Sequence, residues 1–384
     1  MRLAIVTTHP IQYYAPVFKL LADKIDVKVF YTWGSEAMEK FDPGFGKAIS
    51  WDIPLLDGYS YEWVKNTAPN PGSHHFKGII NPNLINQIKF WQADAVLVYG
   101  WAYDSHLKTI RHFKNKIPVY FRGDSTLLDV KTGAKQLLRS LFLRWVYGHI
   151  NHAFYVGSNN CAYFKKYGLK GRQLSFAPHA IDNNRFAAEK DEEASRIRSD
   201  LGIKPADTLI LFAGKFEEKK SPLLLLNAFL TLNMPNTHLL FVGNGVLEGA
   251  LKTAASKNIH VHFINFQNQL AMPALYQACN LFCLPSQGPG ETWGLAVNEA
   301  MAAGKPVLVS DKCGCAADLV NPGVTGEIFE TGNISSLTKK LHSLVGDKNR
   351  LTILGQNAKV EIANWSFNKQ ADAMISIINN IHAN

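Results

Sequence analysis

The 384-residue chain is poor in cysteine, has no long apolar run and, over one stretch, carries almost no acid. Its five cysteines, Cys161, Cys279, Cys283, Cys313 and Cys315, are an odd and sparse set, which argues for reduced thiols over a secreted disulfide framework. The pairs Cys279/Cys283 and Cys313/Cys315 lack the spacing usual for a structural zinc site, so a four-thiolate centre is disfavoured. No stretch approaches the roughly 18 uninterrupted apolar residues of a membrane span. The opening run Met1–Thr8 is too brief for the apolar region of a signal peptide and reads as a first strand. The expectation is a cytoplasmic protein. Hydrophobic content of 47% with 18% charged residues excludes large-scale disorder, and there is no low-complexity tract or internal repeat.

Charge is what the chain has in excess, with a formal net charge of +9. Between His106 and Ser175 lie 13 lysines and arginines against only Asp124 and Asp129. An anionic partner is implied. Within that stretch, Lys135 to Tyr147 sets basic and aromatic residues on a helical period. It suits an interfacial helix at an anionic membrane surface, peripheral at the inner face of the cell membrane, or a half-buried helix with a solvated basic face. Nucleic-acid binding rests on charge alone and is not expected.

The length favours two domains. Apolar, β-branched runs alternate with helical patterns throughout, which predicts an α/β fold with two doubly wound parallel sheets. Strands are predicted at residues 3–7, 27–31, 95–99, 119–122 and 153–156, then at 209–213, 238–242, 260–264, 281–284 and 306–310. A composition shift after Phe186, into the charged run from Glu189 to Arg196, puts the boundary near residue 187. The expected domains are therefore residues 1–187 and 188–365. A terminal helix follows over 366–384, free to close the second domain or to cross back and brace the first. Ligands of open parallel sheets bind beyond the carboxyl ends of the strands.

The strongest chemical signal is the segment from Leu284 to Val307, read as strand, glycine-rich loop, helix, glycine stop and strand, with Glu291 and Glu299 inside it. Glycine lets a ligand approach the backbone, and free amides at a helix N-terminus attract a diphosphate. A helix rises about 1.5 Å per residue, so the two glutamates, eight positions apart, are expected about 12 Å apart along it, a span comparable to that from sugar to ribose in a nucleotide sugar. Carboxylates suit both ends because they accept hydrogen bonds from hydroxyls. Two glutamates on an exposed helix face would be the plainer reading.

This block resembles the Glu-x7-Glu motif of retaining GT-B glycosyltransferases, family 4. The strand and loop Phe212–Ser221 are similar to that family's Gly-Arg-Leu-x-x-x-Lys-Gly, with Lys215 for the usual arginine and Ser221 for the usual glycine. His238–Gly245 resembles its Gly-x-Gly turn, Ile264–Phe266 with Leu275–Tyr276 its base-binding loop, and Pro178–Phe186 its interdomain segment. The resemblance implies a GT-B enzyme whose second domain binds a nucleotide sugar, UDP being the commoner nucleotide. It implies donor contacts from Gly214, Lys215, Lys220, Gly243, Phe266, Glu291, Thr292, Trp293, Gly294, Leu295, Ala296 and Glu299. Lys215 and Lys220 would neutralise the diphosphate, Glu299 would bind ribose and Glu291 the sugar. Front-face attack with retention needs no protein nucleophile, and no metal or cofactor is implied.

The first half departs from that pattern. His9, Gln12 and Tyr14 stand after the first strand, where relatives carry a glycine-rich loop. Arg122 and Asp124 stand where many relatives have a histidine. His9 and Asp124 are carried as candidate catalytic residues. His9, Gln12, Tyr14, Trp101 and Arg122 are candidates for binding a glycan or lipid-linked acceptor, although an Arg–Asp loop tie and aromatic core are alternatives. A GT-B nucleotide-sugar epimerase and a non-catalytic nucleotide-sugar-binding protein remain as rival readings.

Overall fold

Runs that are apolar at every position become strands covered on both faces. Leu3, Ala4, Ile5 and Val6 have no exposed surface, nor do Leu209 to Phe212. The computed structural model describes residues 1–39, 41–42, 47–48, 50–130 and 132–382. Its strands are β1 (Arg2–Thr7), β2 (Asp26–Tyr31), the short antiparallel pair β3 (Phe41–Asp42) and β4 (Lys47–Ala48), β5 (Ser60–Trp63), β6 (Ala95–Tyr99), β7 (Val119–Arg122), β8 (His152–Tyr155) and β9 (Leu174–Phe176). They continue with β10 (Thr208–Ala213), β11 (Thr237–Val242), β12 (Val261–Ile264), β13 (Leu281–Leu284), β14 (Val307–Ser310) and β15 (Gly326–Phe329).

One sheet runs β5-β2-β1-β6-β7-β8-β9 and the other β12-β11-β10-β13-β14-β15. Every neighbouring pair in both is parallel. In each sheet the chain winds outward from its first strand, then returns and winds the other way. The order reverses between β1 and β6 in the first sheet and between β10 and β13 in the second. Both sheets are thus doubly wound, with the α/β class expected from the sequence.

The ten predicted strands are present to within a residue. The three sheet strands that the pattern missed, β5, β9 and β15, all lie at sheet edges. An edge strand is covered less completely and does not need a continuous apolar run. Ser60 and Tyr61 are exposed, and none of Leu174, Ser175 and Phe176 is fully buried.

The chain forms two compact units, one made of Met1–Lys40, Ile53–His179 and Phe367–Asn384, the other of Phe41–Asp52 and Ala180–Ser366. This differs from the expected division in two places. The change of unit falls between His179 and Ala180, not near residue 187. Ile181 bridges to Ser366, and the Asn183 side chain donates to the carbonyls of Ile362 at 3.0 Å and Trp365 at 3.3 Å. Phe186 meets Tyr276 edge-on at 5.7 Å. The segment Phe41–Asp52 belongs to the second unit, because Asn268 donates to the Ser50 carbonyl at 2.6 Å and the Leu270 amide donates to the Asp52 carboxylate at 3.1 Å.

The helix Phe367–His382 takes the second of the two courses left open by the sequence and belongs to the first unit. Its stripe of Ala371, Met374 and Ile378 is buried in one cluster with Val17, Phe18 and Leu21 of the helix Ala15–Ala22. Met374→Ala should cost roughly 2–4 kcal/mol, since truncating a buried methionine leaves a cavity. Urea denaturation would measure it. A loss below about 1 kcal/mol would mean that the helix is peripheral to this core.

Candidate functional site

The loops that follow β10 and β13 meet at the reversal point of the second sheet. After β10 come Gly214 and Lys215, then the one-turn helix Glu218–Lys220. The Gln287 amide donates to the Lys219 carbonyl at 2.8 Å, and its side chain donates to the Glu218 carbonyl at 2.9 Å. That double tie brings the Lys220 ammonium onto the Glu291 carboxylate. Ser286, at the end of β13, donates its hydroxyl to Glu291 Oε2 at 2.9 Å, and Ser310 donates to the Ser286 carbonyl. Glu291 and Ser286 are both buried. Ser221, which stands where glycine was expected, takes the left-handed conformation at φ +50°, a region that glycine enters without strain.

Glu291 is not on the helix. The helix is Leu295–Ala302, and Glu291 lies in the loop before it. The expected rise between the two glutamates therefore does not apply. Gly294 caps the helix at φ +96° with no side-chain cap, so the amides of Leu295 and Ala296 stand at an uncapped terminus. The loop is backed by a second one: the Gly314 amide donates to the Glu291 carbonyl at 3.2 Å, and the Cys315 amide donates to the Trp293 carbonyl at 2.9 Å. A Cβ on Gly314 would lie 1.8 Å from the Thr292 carbonyl oxygen, so the two loops touch backbone to backbone. Glu299 does lie on the helix, buried, and accepts from the Tyr276 hydroxyl at 2.8 Å.

The other residues expected at the donor end divide. Gly214 and Gly243 follow adjacent strands, with the Gly214 amide donating to Val242 at 3.0 Å and the Gly243 amide to Ile264 at 2.9 Å. The Phe266 amide donates to the Asn244 side chain at 2.9 Å, and its ring meets Trp51 edge-on at 6.5 Å. Thr292 is half-buried in the loop. Trp293 is a correction. Its indole is buried, donates to Asn298 at 2.9 Å and packs on Trp365 at 5.2 Å, so the ring is core and only its backbone borders the loop.

In the first unit, a cavity of about 250 Å³ opens at the reversal between β1 and β6. Thr8, His9 and Tyr14 line it after β1, Tyr99 and Gly100 at the end of β6, and Arg122 and Asp124 at the end of β7. The Thr8 hydroxyl and His9 Nδ1 are 2.9 Å apart, and the His9 ring meets Trp33 edge-on at 5.5 Å. Tyr14 packs on Tyr99 at 4.8 Å. Burial, then the charge of Asp124, raises the pKa of the Tyr14 phenol. The Tyr99 hydroxyl is buried with no hydrogen-bond partner among the described residues.

Three expectations change here. Arg122 is buried and donates to the carbonyls of Ala177 at 2.9 Å and Pro178 at 3.1 Å, so its guanidinium straps the end of β7 to the last segment of this part of the unit. Trp101 does not line the cavity; it packs against Phe142 at 5.5 Å and on the hydrophobic core. Gln12 is half-buried and lies outside the lining.

Two histidines that the sequence did not single out also support this cavity. His106 is buried, with Nδ1 on the Gly100 carbonyl at 2.9 Å and Nε2 on the Thr32 hydroxyl at 2.8 Å, and Thr32 reaches the Thr7 carbonyl at 3.0 Å. It thereby joins the ends of β1 and β6. His179 lines the cavity and lies nearly parallel to Tyr14 at 6.3 Å. Their only sequence signal was a histidine in an apolar helix pattern and one beside Pro178. The sequence assigned Ser286 no role and Tyr276 only a place in the base-binding loop; their hydroxyls find the two glutamates only once the loops are folded.

Burial holds the His106 pKa down at about 4, and burial with the charge of Arg122 holds that of His179 at about 3. Both are neutral in the folded chain, whereas the unfolded chain takes up their protons below about pH 6.5. Stability should therefore be full above that value and fall steadily towards pH 4, by up to about 3 kcal/mol for His106 alone. A flat denaturation profile across this window would contradict the assignment. Gly294→Ala should cost roughly 1–3 kcal/mol, because its φ is positive and the new Cβ would lie 2.8 Å from Cys313 Sγ. A variant that unfolds at the wild-type urea midpoint would show that the loop relaxes.

Comparison with known proteins agrees with this layout. Residues 193–361 match the family model for glycosyl transferases group 1. The D-inositol 3-phosphate glycosyltransferase of Nocardia farcinica is 26% identical over 221 residues, covering 54% of this chain and 48% of that protein. The chain thus spans about half the length of the curated relatives it matches. HepE of Anabaena, solved in complex with UDP and glucose, superposes with a TM-score of 0.73 at 17% identity, over 99% of this chain and 100% of that one. Sucrose-phosphate synthase of Thermosynechococcus elongatus does so with a TM-score of 0.75 at 16% identity, over 100% and 99%. These two likenesses concern the fold. The group 1 match lies on the unit that carries Glu291 and Glu299, and over residues 193–361 the chain resembles the glycosyl transferases of that group.

Proposed function

We propose that the chain is a retaining glycosyltransferase that moves a sugar from a nucleotide sugar, a UDP-sugar in the first instance, to a hydroxyl of a glycan or lipid-linked acceptor in surface polysaccharide or glycoconjugate synthesis. The observation that carries this reading is the cluster in the second unit: Glu291, buried with Lys220 and Ser286, stands directly ahead of an uncapped helix whose Glu299 is held by Tyr276. HepE, of the same fold, is solved with UDP and glucose.

The roles are those the resemblance implies, and charge and geometry support them. The Tyr276 hydroxyl fixes the Glu299 carboxylate, which accepts from the ribose hydroxyls. The diphosphate lies at the helix terminus, against the amides of Leu295 and Ala296. Lys215 and Lys220 stabilise the charge that develops as the nucleotide leaves. Lys220 exchanges the Glu291 carboxylate for phosphate oxygens when donor binds, and Glu291 turns to the sugar hydroxyls. Lysine at position 215 lacks arginine's planar fork and grips the phosphate through a single point charge.

The cavity of the first unit takes the hydroxyl-bearing acceptor. His9, Asp124 and Tyr99 line it, while Arg122 positions rather than binds. In retention by front-face attack, an oxygen of the donor phosphate takes the acceptor proton as the new glycosidic bond forms and the old one breaks. No cofactor or metal is needed for that step.

UDP should raise the melting temperature of the purified chain, because a ligand of the native state adds stability. Glu299→Ala should weaken UDP binding by roughly tenfold or more, the loss of a charged hydrogen-bond acceptor being worth about 1.5–3 kcal/mol. Glu291→Ala should lower turnover and leave UDP affinity nearly unchanged. Lys220→Ala should raise the donor KM or lower kcat. A chain that binds no nucleoside diphosphate at millimolar concentration would sink the reading. Epimerisation of the bound donor with no transfer to any acceptor would replace it by the rival one.

A further inference from the structure

We propose that the outer face of the helix Ala134–Tyr147 is a docking surface for an anionic lipid bilayer. The helix is anchored on one side only, by Leu143, Val146 and Tyr147. Leu137, Leu138, Leu141, Phe142 and Trp145 are between 41% and 68% exposed. At about 100° per residue, these five fall within an arc of about 140° on the side away from the buried face. An ordinary surface helix shows the reverse, polar residues outward and apolar ones in. Isolated exposed leucines mean little, but five contiguous large apolar side chains form a patch that water covers at a cost.

The rims of the patch identify its occupant. Arg144 borders it on one side and Lys135 on the other, with Arg139 beyond Lys135, and the helix carries no acidic residue. Trp145 lies under the Arg111 guanidinium, whose central carbon is 5.2 Å from the ring centre. An apolar stripe with cations on both edges fits the boundary between lipid tails and anionic headgroups. Leucine and aromatic side chains enter the tails there, while the basic ends reach back to phosphate. The helix, about 21 Å long, lies flat on such a surface.

A second copy of the chain is a poor occupant, because a symmetric pairing sets each basic rim against its like. The surroundings are basic too, with 13 cationic against 2 acidic residues between His106 and Ser175. The described residues contain no helix long and apolar enough to cross a membrane, so the contact is interfacial. It depends on this helix alone and stands or falls separately from sugar transfer.

The test is flotation of the full chain with vesicles of phosphatidylcholine alone and of phosphatidylcholine mixed with phosphatidylglycerol. The wild type should float with the mixed vesicles at low salt, lose most of that binding at high salt, and ignore the neutral ones. Leu138→Glu with Trp145→Glu, both at exposed positions, should reduce flotation roughly tenfold or more without moving the urea midpoint. Lys135→Glu with Arg144→Glu should remove the preference for anionic lipid. Failure of the wild type to float, equal capture by neutral vesicles, or wild-type flotation of either double variant would overturn the proposal. So would a dimer in sedimentation velocity that the Leu138/Trp145 variant dissolves, since the face would then belong to a second copy.

Discussion

Burying a carboxylate costs several kcal/mol unless a cation and hydrogen-bond donors meet it, and Glu291 meets both conditions. Lys220 supplies the charge and Ser286 the hydrogen bond. Most of the surrounding architecture serves that pairing. Gln287 ties the loop after β13 to the turn after β10, which brings Lys220 within reach. The loop after β14 packs against the backbone of residues 291–293, which holds Glu291 in front of the helix instead of on it. A buried ion pair of this kind stabilises little by comparison with an apolar pair. Its consequence is a cation and an anion held together at the mouth of the second sheet.

The first unit reaches a comparable result with neutral groups. Its cavity at the β1/β6 reversal is walled by hydroxyls and imidazoles, and burial keeps His106 and His179 unprotonated. Arg122 and Asp124 are the exceptions, and the Arg122 guanidinium is occupied by the carbonyls of Ala177 and Pro178. Those two residues precede the change of unit at His179/Ala180. The same arginine therefore borders the cavity and secures the end of the segment from which the second unit begins.

What could be read in advance followed burial. Strands inside a sheet are covered on both faces, so their apolar runs announced them; of the four edge strands of the two parallel sheets only β12 was announced, and β5, β9 and β15 were not. Glu291 and Glu299 were recognisable as a pair by spacing, but the break at Gly294 that takes Glu291 off the helix is a backbone event. Cys313 and Leu284, from across the fold, crowd the place where a side chain at position 294 would stand, which favours glycine there. Trp293 and Trp101 show the limit for aromatics. A ring near a loop suits a sugar or a core equally well, and only Trp365, Asn298 and Phe142 decide the matter. The unit boundary was misplaced because composition shifts at Glu189, whereas the hydrogen bonds of Asn183 had already committed the chain to the second unit.

The sequence by itself determined the class of fold, the run of interior strands, the glycine-rich loop and helix with their two glutamates, and the lysines after β10. Each of these depends on neighbours along the chain, through apolar runs, turns and helix ends. Tertiary structure alone decided which hydroxyls hold the glutamates and which arginine is a strap. It also assigned the last helix to the first unit and left the apolar side of the helix Ala134–Tyr147 outward. A helical period records that a helix has two faces. Which of them meets the core depends on residues far away in the chain, and that information exists only once the chain has folded.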